Sequence, residues 1–145
     1  MLRHQPRQKS PATTRPVLPR IWLFTDRRND SRLARAIMRL PRGNGIVFRH
    51  YHLRDAARKR RFETIKMLAR RRGHRMFLAG TPALARRWQA EGVYGHFDRR
   101  SEIGALLHGV PVHNAREIQK ANRAGADIFF LSPVFATRSH PGQRP

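Results

Sequence analysis

From Ile21 onward, short apolar runs alternate with longer stretches of helical period, the pattern of βα units built on a parallel sheet. The first run, Ile21-Trp22-Leu23-Phe24-Thr25, ends at Asp26. Leu33, Ile37 and Leu40 then share one helical face over residues 31–40, with Asn29, Asp30 or Ser31 as its cap, until Pro41, Gly43 and Gly45 break the helix. Ile46-Val47-Phe48 is the second run. A basic helix over 55–72 follows, with Phe62, Ile65, Leu68 and Ala69 inward and its Arg and Lys side chains outward, stopping at Gly73. Met76-Phe77-Leu78-Ala79-Gly80 is the third run, and Thr81-Pro82 opens a helix that carries Leu84, Ala85 and Trp88 inward. Gly92-Val93-Tyr94 and Gly109-Val110-Pro111-Val112 are two weaker strands. Asn114 with Glu117 forms a capping box for a helix bearing Ile118 and Ala121, Gly125 ends it, and Asp127–Leu131 is the sixth and clearest strand.

Units beginning near Ile21, Ile46, Met76, Gly92, Gly109 and Asp127 have the rhythm of a (β/α)₈ barrel read as far as its sixth strand. An open, doubly wound parallel sheet has the same rhythm, although no G-x-G-x-x-G follows any strand. Rhythm alone leaves both architectures open.

The chain has 145 residues, 31 Lys and Arg against nine Asp and Glu, and no cysteine. That is material for one domain, and it excludes disulfides, thiolate metal sites and cysteine nucleophiles. No apolar run approaches the ~20 residues of a membrane-spanning helix. Residues 1–20 hold five of the bases, none of the acids and four prolines, the composition of a disordered basic arm. The arm lacks the apolar stretch of a secretory signal, so a cytoplasmic location is expected. The net charge of +22 extends through the rest of the chain and would draw phosphorylated small molecules, and nucleic acid nonspecifically. Arginine outnumbers lysine 27 to 4, a skew that the base composition of coding DNA produces as readily as function does.

The stretch Gly125-Ala126-Asp127-Ile128-Phe129-Phe130-Leu131-Ser132-Pro133-Val134-Phe135-Ala136-Thr137-Arg138-Ser139 resembles the G-A-D-Y-[aliphatic]-x-x-[GS]-P-[VI]-[FY]-x-T-x-[ST] signature of the thiamine phosphate synthase and TenI family. Trp22–Asp26 is similar to that family's first strand ending in T-D, Val47–Tyr51 to its Q-x-R-x-K strand, Glu91–Tyr94 to its D-G-V-H strand, and Gly109–Asn114 to its G-x-S-x-H strand. The resemblance runs over residues 19–145 and selects the TIM (β/α)₈ barrel, with about six βα units present over 21–145.

It implies a transferase of thiamine biosynthesis that joins hydroxymethylpyrimidine diphosphate to thiazole phosphate, giving thiamine phosphate and pyrophosphate, with Mg²⁺ neutralising the leaving group. Arg49 matches the strand-two arginine, whose guanidinium suits bidentate phosphate binding. Thr137 and Ser139 match two phosphate-binding hydroxyls after strand six. The chain departs from the pattern at Tyr51 and His140, where the family has lysines, at Val47 for glutamine, at Pro111 for serine, and at Ala79-Gly80, where it has an Asn-Asp pair that includes a metal ligand. The implied phosphate set is Arg49, Tyr51, Thr137, Ser139 and His140, and Asp98 remains near a metal-ligand position.

In the TenI branch, a histidine at the place of His113 is implied to shuttle a proton in a thiazole tautomerase that needs no metal. A catalytically inactive basic remnant that binds nucleic acid is a third reading. His50 and His52 flank Tyr51 without acidic neighbours in sequence and read as solvated loop side chains, not as a metal pair; Arg58–Arg61 and Arg70–Arg72 read as a solvated helix face. The chain stops after the sixth strand's loop, so a C-terminal truncation is expected, which would remove the loops after strands seven and eight and leave strand six as an apolar edge.

Overall fold

The computed structural model describes residues 17–135. Among these, β1 (Trp22–Phe24), β2 (Gly45–Phe48), β3 (Arg75–Ala79), β4 (Gly92–Tyr94), β5 (Leu107–Val112) and β6 (Ile128–Leu131) pair in parallel and in chain order. That order never reverses, whereas a doubly wound sheet reverses at its switch point. The sheet is a curled part-barrel. The helices α1 (Leu33–Arg39), α2 (Asp55–Arg71), α3 (Pro82–Arg87), α4 (Arg100–Ile103) and α5 (Ala115–Arg123) lie between successive strands.

Alternation along the strands sorts the core into two layers. Ile46, Phe48, Met76, Leu78 and Val93 pack outward on Leu33 and Ile37 of α1, Phe62 and Ile65 of α2, and Ala85 and Trp88. Val110 and Val112 pack separately on Ala121 of α5. The intervening residues point into the barrel, where Trp22, Phe24, Phe77, Tyr94 and Phe130 meet edge to face at ring-centroid distances of 4.6 to 5.6 Å. Phe130 touches both Trp22 and Phe24, so this cluster joins the last strand to the first across the interior. Room for the rings comes from glycine: a Cβ at Gly45 would collide with the Trp22 indole, and one at Gly92 with the Phe77 ring. β6 is a sheet edge, and its outward side chains Phe129 and Leu131 are 37% and 48% exposed.

Several expectations change on the structure. Arg58 and Lys66 of α2 point inward, not outward, and are only 8% and 6% exposed. Arg58 donates to the main-chain oxygens of Arg49 (2.7 and 3.1 Å) and Ala79 (2.6 Å), and lies over the rings of Phe48, Tyr51 and Trp88. It ties the carboxyl ends of β2 and β3 together. Lys66 donates to Trp88 O (2.8 Å) and pairs with Glu63. Residues 30–32 form a 3₁₀ turn ahead of α1, and Asn29 acts within the preceding loop and not as a side-chain cap. The capping box of α5 is shifted: Asn114 accepts from Glu117 N–H as expected, but Glu117 reaches back to His113 N–H. Of the expected arm, residues 1–16 lie outside the described residues, while Pro19 O accepts from the Trp22 indole N–H (2.9 Å).

Candidate functional site

The carboxyl ends of β1 and β2 face each other through one buried hydroxyl. Thr25 Oγ1 accepts the Arg49 main-chain N–H (3.1 Å) and lies 2.8 Å from His50 Nδ1. On the other side of the imidazole, Nε2 is 2.8 Å from Asp30 Oδ1. A carboxylate only accepts, so Nε2 carries the proton and Nδ1 accepts from Thr25. Arg61 of α2 closes the chain on Asp30 at 2.7 Å. His50 is fully buried, stacks on Phe48 at 4.6 Å, and adopts φ +35°, a conformation held by these bonds at the turn out of β2. Burial pushes the His50 pKa down, against the pull of Asp30. For Asp30 burial raises the pKa, but the His50 and Arg61 hydrogen bonds prevail and hold it below the usual carboxylate range. The expectation of a solvated His50 fails because Asp30, twenty positions earlier in sequence, becomes its neighbour only through β1–β2 pairing.

Above this layer, Arg49 Nε donates to Thr25 O (3.2 Å), and Nη2 to Asp26 Oδ2 (3.0 Å), with the guanidinium over the Phe24 ring. The β1–α1 loop is tied by its own side chains: Asp26 Oδ1 accepts Arg28 N–H, Asn29 Oδ1 accepts Asp26 N–H, and Asn29 Nδ2 donates to Phe24 O. Arg28 Nη2 also reaches Asp26 Oδ2, at 3.1 Å. The Arg28 hydrogen bond is the main reason the Asp26 carboxyl titrates below its ordinary range. Asp26, Arg27, Arg28, Arg49, His50, Tyr51 and His52 line an open cleft of about 350 Å³. Tyr51 is exposed at its edge, 5.3 Å from the Arg58 guanidinium.

At the end of β5, half-exposed His113 donates from Nδ1 to Glu117 Oε2 (3.0 Å), and its Nε2 makes no hydrogen bond among the described residues. The hydrogen bond from His113 holds Glu117 below its usual pKa. Asp98 lies on the exposed β4–α4 loop, ion-paired with Lys120 of α5 at 3.0 Å. Thr137, Ser139 and His140 lie outside the described residues. The structure thus gathers Arg49 and Tyr51 in one cleft and places His113 and Asp98 on other strand ends.

A family model described as thiamine monophosphate synthase (TMP-TENI) matches residues 21–145. The chain belongs to this family. A thiamine-phosphate synthase of Bacillus velezensis is 39% identical over 62 residues, a match covering 39% of this chain and 28% of that protein. A solved thiamine phosphate pyrophosphorylase from Pyrococcus furiosus superposes with a TM-score of 0.68 at 22% identity, over 80% of this chain and 61% of that one. The chain therefore spans less than two thirds of the length of either relative. The superposition agrees with the parallel, unreversed sheet.

The described residues do not suit the Mg²⁺ that the thiamine phosphate synthase resemblance implies. Mg²⁺ takes carboxylates together with substrate phosphates, but Asp98 is engaged by Lys120, Asp26 by two arginines, and β3 ends in Ala79-Gly80. Among the described residues no three His, Asp or Glu side chains converge. Among the same residues, no helix is long and apolar enough to cross a membrane.

Sequence reasoning missed Arg28, Asp26, Asp30 and Thr25 as parts of the site. Arg27 and Arg28 follow the T-D pair directly, and that adjacency to a strand's carboxyl end was the available signal.

Proposed function

We propose that the chain acts in thiamine biosynthesis as a thiamine phosphate synthase-type transferase, with the β1–β2 cleft binding a phosphorylated substrate. The observation that supports it is Arg49, fixed at three points on the Thr25-Asp26 pair that follows β1, with Nη1 making no hydrogen bond among the described residues and so able to donate to phosphate oxygen. In the reaction, the thiazole nitrogen forms a C–N bond to the pyrimidine methylene carbon as the C–O bond to diphosphate breaks, and pyrophosphate departs. Guanidinium groups take up the charge developing on the leaving group. Tyr51 replaces a lysine with a hydroxyl donor; Thr137, Ser139 and His140 would add donors from the segment after β6.

A second reading, a TenI-type thiazole tautomerase, draws on the His113–Glu117 pair. Glu117 orients the ring so that Nε2 can take a proton from the thiazole and return it at another carbon, with no net gain or loss of atoms.

The test supplies the chain with both phosphorylated substrates and follows thiamine phosphate and pyrophosphate together. Equal amounts of the two, lost in Arg49→Ala, support the first reading; no thiamine phosphate at any substrate concentration refutes it. Tautomer conversion abolished by His113→Ala selects the second.

A further inference from the structure

The lysine missing at Tyr51 and the carboxylates missing for a metal leave the cleft short of positive charge in the family's usual places. The β1–α1 loop supplies it from elsewhere. Arg28 and Arg49 approach the same oxygen, Asp26 Oδ2, at 3.1 and 3.0 Å from the carboxyl ends of two adjacent parallel strands. Their Nη2 atoms are therefore no more than about 6 Å apart, a separation that one phosphoryl group can bridge. Arg28 is anchored on Asp26 at two points, its main-chain N–H on Oδ1 (2.8 Å) and its Nη2 on Oδ2 (3.1 Å), and Asn29 locks the loop from behind. Arg27 lines the same cleft.

We propose that Arg28 and Arg49 form a two-guanidinium clamp for a diphosphate or phosphate dianion, which neutralises the anion without a carboxylate-held metal. The inference rests on the cleft being the phosphate site. Asp26 keeps the two forks aligned while the cleft is empty, and the incoming dianion takes the N–H groups that the carboxylate leaves free. Arg28 then does, from the first strand's loop, what a lysine at position 51 would do from the second.

The experiment is calorimetric titration with inorganic pyrophosphate in metal-depleted buffer at 0.15 M salt, on wild type, Arg28→Ala, Arg28→Lys, Arg49→Ala and Arg70→Ala. Arg28 is 83% exposed, so its replacement leaves the core intact, and Arg70 on the solvent side of α2 controls for loss of one charge. The clamp predicts at least tenfold weaker binding in Arg28→Ala and Arg49→Ala, a partial recovery in Arg28→Lys, less than a twofold change in Arg70→Ala, and no gain on adding Mg²⁺. Equal losses in Arg28→Ala and Arg70→Ala, or binding that appears only with Mg²⁺, overturn it. If Arg49→Ala alone loses binding, the phosphate site stands and the clamp falls. If the wild-type chain binds no pyrophosphate and no thiazole phosphate, both fall.

Discussion

Thr25→Val exchanges one hydroxyl for a methyl group at a fully buried position, with little change in shape. It removes the acceptor of the Arg49 N–H and the donor to His50 Nδ1 together. Each buried group left without a partner costs about 1–3 kcal/mol, and the added methyl returns about 0.8 kcal/mol. The net loss is about 1–5 kcal/mol. With a urea slope of about 2 kcal/mol per molar, the unfolding midpoint falls by about 0.5–2.5 M. Urea melts followed by tryptophan fluorescence at pH 8, where His50 is neutral, measure it directly, and the slope should not change. Thr25→Ser keeps the hydroxyl and should lose no more than the ~0.8 kcal/mol of one buried methyl. A midpoint within 0.25 M of wild type for Thr25→Val, on the order of 0.5 kcal/mol by the same slope, would refute the hydroxyl as the joint between β1 and β2.

His50, His74 and His108 are buried, and burial lowers the pKa of each, so they stabilise the fold above the ordinary histidine value near 6.5 and that stability is lost as pH falls through and below it. Urea midpoints should hold from pH 8 to 7 and decline steadily to pH 5; a flat profile contradicts this. Gly92→Ala forces a Cβ against the Phe77 ring and should cost about 1–3 kcal/mol, much of it recovered in the double variant with Phe77→Leu; strictly additive losses in that cycle would place the strain elsewhere. Asn114→Ala removes the α5 cap and should cost about 1 kcal/mol, with faster amide exchange confined to the first turn of α5.

The strand–helix rhythm was legible because each strand is a short apolar run bounded by Gly, Pro or Asp. What periodicity could not show was α4, four residues with one buried side chain, or the start of β5, where His108 reads as polar yet is buried against Phe97. Arg58 was legible in principle. It stands four residues before Phe62 on the stripe that continues through Ile65 and Ala69, but its charge argued for solvent, and only the carbonyls of Arg49 and Ala79 make its burial tolerable. The site divides in the same way. Arg49 and His113 were readable from strand-end motifs, whereas Thr25, Asp30 and Arg28 acquire their roles from the parallel pairing of β1 with β2, which no local pattern encodes.

That pairing makes the cleft, and the account turns on the cleft binding phosphate. Amide and arginine Nε chemical shifts of the isotope-labelled chain, followed through a titration with thiazole phosphate, locate the bound anion. The account predicts that the largest, saturable changes fall on Asp26, Arg28, Arg49 and Tyr51. Changes spread over the exposed arginines of α2, or none at the ends of β1 and β2, would contradict it.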